Sequence, residues 1–479
     1  MKKLLPLIAL SVLSTTYASA RTVEERLDDL ELTRDLTWIK WGGSLETRYD
    51  YIDNERKKEY DTLNTATGSN ETNKKGSTND RYYRMWANLN MEAAPSDRLT
   101  FFGRLSASKY FSVLGSQGQP SNAFADLSEG QSQRGSQIYL ERAFANYAIN
   151  KQWTFTMGRL PTIDGPNKHV ALNQQLSGNY PTLGYSAILD GFALTRTSKL
   201  DDGAVFRGKI IYTPLQNVNY QGTNRLEDFD GNKIDTVSDY ASLILEYEKS
   251  NGSFFRKNLT MFQWLHGDTA PFYLGRVDRR VDTDNDDVPD QDLALGSDLE
   301  VGVDRLVIYS EYEGLFNTGF DFAYQVMYSQ TKSRGDLFKC TDSLGGAICN
   351  NAGYGGAQGW NTNKKKDTMS GTAVALTTRY QLPIPSMNRP KIGLEYFTAT
   401  RQAYVYDSAN VNPINMYATS AGQVYHLFWN QSFDGGLFLN AGYMHRQQNR
   451  VRQAFGIFGD DAKVKNTDQN VYVSLLATF

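Results

Sequence analysis

Four aspartates in the run DTDNDDVPDQD, Asp282, Asp284, Asp286 and Asp290, stand at positions one, three, five and nine of a turn. Clustered hard oxygens at that spacing suit Ca²⁺. An EF-hand fits poorly, because Asp287 takes the place of the turn glycine and Leu293 that of the bidentate glutamate. The plain alternative is a solvated acidic loop. Four histidines, His169, His266, His426 and His445, lie scattered with no HExxH or GxSxG frame around them. His426 and His445 fall on neighbouring expected strands but have opposite parity, so they are not expected to converge, and the chain does not read as an enzyme. Cys340 and Cys349 are nine apart in CTDSLGGAIC, without a CxxC spacing. In an oxidising compartment such a pair forms a loop disulfide.

The remaining chemistry is charge set on alternating segments. Arg48, Arg84, Arg104 and Arg446 share a parity with Asn and Ser neighbours, as do Arg207 and Lys209 on a later segment. Glu246, Glu248, Glu311 and Glu313 occupy matching positions further on. After Trp38 the chain is a succession of 9–14-residue stretches in which every second residue is apolar or aromatic. Tyr83, Met85, Ala87, Leu89 and Met91 oppose Arg84, Asn88 and Asn90; Phe320, Phe322, Tyr324, Val326 and Tyr328 oppose Asp321 and Gln325. Such dyads make a sheet with one apolar face. About sixteen such strands are expected, near 39–51, 81–94, 99–111, 137–149, 153–161, 187–198, 204–215, 239–249, 259–268, 305–315, 319–332, 369–382, 391–404, 420–433, 437–449 and 468–479. Connections alternate between short (NKQ at 150–152, DGG at 434–436) and long (112–136, 162–186, 333–368). That alternation belongs to an outer-membrane barrel with short turns on one side and long loops on the other.

Composition closes off the other classes. The 479 residues carry 50 Lys+Arg against 53 Asp+Glu, a formal net charge of -3, so no basic excess points to nucleic acid. Aromatic residues make up 13%, which argues against disorder. Residues 1–20 combine Lys2 and Lys3, an apolar stretch Leu4 to Leu13 and the small-residue end Ala18-Ser19-Ala20, a signal peptide. Residues 21–38 hold a helical stripe, Val23, Leu27 and Leu30, suited to a short periplasmic helix or coiled coil that needs a partner. Residues 39–479 are left for an all-β, transmembrane antiparallel barrel with a water-filled interior.

The last residues, VYVSLLATF, alternate Val471, Val473, Leu475, Ala477 and Phe479 and end on an aromatic. With the signal peptide and the loop alternation, this chain resembles the outer-membrane porins of Gram-negative bacteria. Two stretches, YLERAFANYAI (139–149) and MGRLPTIDGPNKH (157–169), are similar to an uncharacterised porin-like family with a short N-terminal helix. The acidic run resembles the calcium repeats of thrombospondin type, departing from them at Asp287. The porin resemblance implies a passive channel for small hydrophilic solutes and ions, and a homotrimer in outer-membrane lipid and lipopolysaccharide. It also implies periplasmic termini and recognition of the Phe479 end by barrel assembly machinery. Loop 162–186, with Asp164, would then form a constriction, although it lacks the acidic pattern of familiar constriction loops. The lumen charges would either stand as opposed rows across the pore, or merely solvate a wide lumen or pair with their neighbours. A structural barrel tethered by helix 22–37 and braced by calcium is the second reading.

Overall fold

The computed structural model describes residues 39–64, 69–110, 138–162, 165–166, 168–172, 176, 178, 180–184, 186, 188–215, 238–269, 277–281, 291–296, 300–334, 339–342, 367–400, 403, 405, 417, 422–451 and 462–479. The signal peptide, helix 22–37, Asp164, the four calcium-run aspartates and Cys349 lie outside them, as does the side chain of Cys340.

Sixteen strands form one closed antiparallel barrel. In chain order they are β1 (Ile39–Arg56), β2 (Gly76–Ser96), β3 (Leu99–Tyr110), β4 (Ile138–Ala148), β5 (Trp153–Arg159), β6 (Asp190–Lys199), β7 (Val205–Leu215), β8 (Ser238–Ser250), β9 (Lys257–Thr269), β10 (Glu300–Leu315), β11 (Phe320–Arg334), β12 (Asp367–Gln381), β13 (Lys391–Ala399), β14 (Gly422–Phe433), β15 (Leu437–Val451) and β16 (Ala462–Thr478). Each expected strand is present, and each pairs with its sequence neighbours. Closure is made by β1 against β16, from Ser44↔Thr478 to Arg56↔Asn466. The chain end is tied to the chain start, with the Gly43 amide donating to the Phe479 carbonyl at 2.9 Å and the Phe479 amide donating back at 3.1 Å. Closure leaves no open sheet edge, which a strand in hydrocarbon requires.

Period-two alternation sorts the side chains. Tyr83 is 52% exposed beside Arg84 at 1%, and Val326 and Tyr328 are exposed beside buried Gln325. The outward face of β16 carries Val471, Val473 and Leu475, all exposed, against buried Tyr472, Ser474 and Leu476. A continuous outward belt of exposed apolar side chains is stable facing lipid and unstable facing water. Both described chain ends of the barrel, and all the short turns, fall on one rim; the long connections fall on the other. Tight turns are made by residues in the left-handed region, Gly435 and Gly436 at φ 77° and 78°, and Phe316 and Asn317 at 54° and 56°. On the long-connection side, strand 291–296 pairs with both 277–281 and 339–342, so the β9–β10 and β11–β12 connections share one small sheet. Cys340 sits opposite Leu295 in it.

Candidate functional site

The connection between β5 and β6 folds into the barrel and reaches the opposite wall. It begins and ends as a clasp, with the Leu160 amide donating to the Leu189 carbonyl at 2.8 Å. A helical turn in it, α1 (Lys168–Leu172), buries Val170 and Ala171. On the far side, His169 Nε2 meets Glu311 of β10 at 2.9 Å. Arg379 of β12 donates to the Val170 carbonyl at 2.9 Å, and Asn430 of β14 donates to the Ala171 carbonyl at 2.8 Å. Gln325 of β11 accepts from the Leu183 amide at 2.9 Å and donates to the Pro166 carbonyl at 3.2 Å. Arg305 of β10 donates to the Gly184 carbonyl. Buried backbone groups of a segment inside a barrel must find partners there, and inward polar side chains of β10, β11, β12 and β14 supply them.

A wet interior throughout does not hold. Leu183 packs with inward Val307, Met327, Ala373, Ala375, Phe397, Val424, Met444 and Ile52, together with Ala403, Val405 and Tyr417 from the β13–β14 connection. An apolar core therefore fills part of the barrel. Most of the strands involved contribute one such residue and β12 two, Ala373 and Ala375, so strand by strand the core is inconspicuous. Closure gathers them.

Among the described residues, the expected interior charges on the strands are inward or at the rim, and each has a partner. Arg48 is held by Asp50 at 2.8 Å beneath the Tyr472 ring, 3.9 Å from its centroid. Arg84 meets Glu46 at 3.1 Å, Arg446 meets Asp468 at 2.7 Å, and Arg104 meets Glu141 at 3.0 Å. Arg207 reaches Glu248 at 2.9 Å and Glu246 at 3.6 Å; Lys209 is paired with Glu246. Glu311 is bound by His169 and by the Tyr309 hydroxyl, and Glu313 meets Arg256 at 3.6 Å. Arg48 and Arg84 stand directly opposite each other on β1 and β2, whereas Arg104 pairs with Asn90 further along β2 and Arg446 lies two strands from β1, opposite Asp468. Of the two arrangements expected, pairing with neighbours describes these side chains, since unpaired charges in so enclosed a space would bear a large desolvation cost.

Several interior pairings were not visible in the sequence, although the opposite parity of His426 and His445 and the inward parity of Asp321 were. Between β3 and β4 the register slips, Arg104 facing Arg142 and Leu105 facing Leu140. The resulting bulge turns two consecutive side chains, Glu141 and Arg142, to the inside. The adjacent charges in YLERAFANYA break the alternation and are the signal for it. His426 is buried, its Nδ1 2.6 Å from Glu395 and its Nε2 2.9 Å from the Tyr472 hydroxyl, whereas His445 contacts Gln447 on the other face at 3.0 Å. Asp321 holds Arg379 at 2.8 and 2.9 Å. These partners lie too far apart in sequence for spacing to reveal them.

Against β1–β7 the interior is open. A cavity of about 680 Å³ lies there, on the short-turn half. Its wall includes Lys40, Glu92, Arg104, Arg142, Arg207 and Lys209, and inserted Tyr180 closes it on one side. Burial of Tyr180 raises its hydroxyl pKa well above the ordinary tyrosine value, keeping it a neutral hydrogen-bonding group toward Ser242.

A closed sixteen-strand barrel with an apolar belt, a charged interior and an inward-folded connection defines an outer-membrane, porin-like β-barrel. Within that class, the chain belongs to the family described as "protein of unknown function (DUF3373)", which it matches over residues 76–449. Solved structures with a similar chain path include OmpT, an outer membrane protein of Vibrio cholerae, in a trimer form. It is 11% identical with a TM-score of 0.42, over 92% of this chain and 99% of that one. An anion-selective porin from Comamonas acidovorans is 10% identical with a TM-score of 0.45, over 92% and 99%. OprB of Pseudomonas putida is 9% identical with a TM-score of 0.44, over 95% and 97%. No curated protein matches the chain.

Proposed function

We propose that this barrel is a passive channel of the outer membrane for small hydrophilic solutes and ions. The observation that carries the reading is the charged cavity left along β1–β7 beside an inward-folded connection. Paired charges and hydrogen-bonding groups on such a wall replace part of a solute's hydration shell while admitting water. The inserted connection 160–189 narrows the path. Both termini face the periplasm, the long connections face outward, and the barrel assembles as a homotrimer among outer-membrane lipid and lipopolysaccharide after delivery by the assembly machinery through its Phe479 end. Calcium on Asp282, Asp284, Asp286 and Asp290 and a Cys340–Cys349 disulfide would brace the outer loops.

The second reading is a sealed structural barrel tethered through helix 22–37, favoured by the apolar core that fills the interior beside β10–β15. Single-channel recording of purified protein in planar bilayers separates them. Stepwise currents support the channel, in threes if it is trimeric. Silence across voltages, with calcium present and removed, sinks the channel and leaves the tether.

A further inference from the structure

The cavity wall is not uniformly polar. Phe102 of β3 and Phe144 of β4 face each other across the ladder and both point inward, their rings stacked 5.0 Å apart with planes 21° from parallel. Inward aromatic rings give nothing to ion passage and cost hydration of the lumen. Beside them lie apolar Leu160 and Ile211. Around this platform stand the cationic heads of Arg104, Arg142, Arg207 and Lys209.

Arg104, Arg142, Arg207 and Lys209 line the cavity, whereas their counter-charges Glu141, Glu246 and Glu248 do not. The side chains of Arg104 and Arg142 are 16% and 7% exposed, whereas Glu141, bound to both, is fully buried at 0%. Arg207 is 30% exposed and Glu246 behind it 7%. Glu248 is shared between Arg207 and Lys257, the latter at 3.4 Å. The acidic residue on the cavity wall, Glu92, is engaged by Lys40 at 3.6 Å near the rim. A solute in the cavity therefore meets guanidinium and ammonium hydrogens first and carboxylates second. Guanidinium groups bind planar oxyanions through parallel N–H donors, and stacked rings accept a flat apolar body.

We propose that this cavity is a binding subsite for small organic anions carrying a carboxylate on an apolar, ring-bearing body. The inference rests on the channel reading and names its solute class. The volume, about 680 Å³, falls in the range that takes small organic ligands whole. The carboxylate sits among Arg142, Arg207 and Lys209, and the ring lies over Phe102 and Phe144. The attraction is charge-assisted and partly desolvated, which gives it strength. It is also partly offset by Glu141, Glu246 and Glu248, so the ligand is held weakly enough to leave.

The test is concentration-dependent block of KCl current through the full-length protein in planar bilayers by benzoate, acetate and benzylammonium. Benzoate is expected to block at a concentration at least about tenfold below benzylammonium and several-fold below acetate, because charge sign and ring each contribute to its hold. Phe144→Leu, which keeps an apolar side chain of similar bulk, is expected to erase the benzoate-to-acetate ratio. Arg207→Gln is expected to erase the benzoate-to-benzylammonium ratio. Each ratio is taken within one variant, so a change in basal conductance does not enter it. Equal block by benzoate and benzylammonium, or by benzoate and acetate, overturns the proposal while leaving the channel standing. No current at all overturns both.

Discussion

Gln325→Leu isolates what pins the inserted connection. Gln325 is fully buried on β11, accepting from the Leu183 amide and donating to the Pro166 carbonyl. The Pro166 carbonyl keeps two other donors, the Thr182 amide at 3.2 Å and its hydroxyl at 2.9 Å, so it stays satisfied. The Leu183 amide loses its partner inside an apolar cluster. One orphaned buried N–H costs about 1–3 kcal/mol and one net hydrogen bond about 0.5–1.5, so docking weakens by about 2–4 kcal/mol. At about 1.4 kcal/mol per decade the undocked population rises roughly 30- to 1,000-fold. The leucine fills the space, which keeps water from replacing the amide. Hydrogen exchange at Leu183 should accelerate by that factor, while the heat-modifiable gel mobility of the barrel stays unchanged because the strand ladders are untouched. Protection at Leu183 within about threefold of the parent would refute the reasoning. It would mean that the apolar packing of Leu183, and not the Gln325 bridge, holds the segment.

Asp321→Asn leaves Arg379 buried without its charge partner and should destabilise the barrel by about 3–5 kcal/mol, read as a lower urea midpoint for the protein in lipid vesicles; an unmoved midpoint rejects this. Gly158 on β5 has φ 116°, and an added Cβ would lie 2.3 Å from the Ala143 carbonyl oxygen, so Gly158→Ala should cost about 2–4 kcal/mol in the same assay. Wild-type stability would argue that β5 shifts freely. In the short turn after β6, the Lys249 ammonium, 2.6 Å from Asp202, holds that carboxyl below its ordinary pKa, with the Ala204 amide adding to the effect. Its contribution is complete above the ordinary carboxylate pKa and is lost as pH falls through the lowered value. Asp202→Asn should therefore slightly flatten the acid limb of the stability–pH curve, the pair being exposed. An unchanged acid limb counts against it.

How much was legible follows from the range of each interaction. Lipid on one side imposes a local rule, apolar every second residue, and that rule was enough to place all sixteen strands and to assign Tyr83, Val326 and Val471 outward and Arg84, Gln325 and Asp321 inward. Connection length is also local, so the two rims could be told apart. Inside the barrel no local rule applies. Whether Arg379 holds the Val170 carbonyl, 209 residues away, or Asn430 the Ala171 carbonyl, 259 away, is decided only when closure brings β12 and β14 opposite the β5–β6 connection. The same closure sets one or two apolar residues from each of β1 and β10 to β15 around Leu183 and makes a core of them. It also turns an expected row of cations into paired charges, with Glu141 presented inward by a bulge that the alternation marked but did not explain. Lipid contact is written residue by residue along each strand; the contents of the interior depend on which strands face one another, and that is a property of the closed ring.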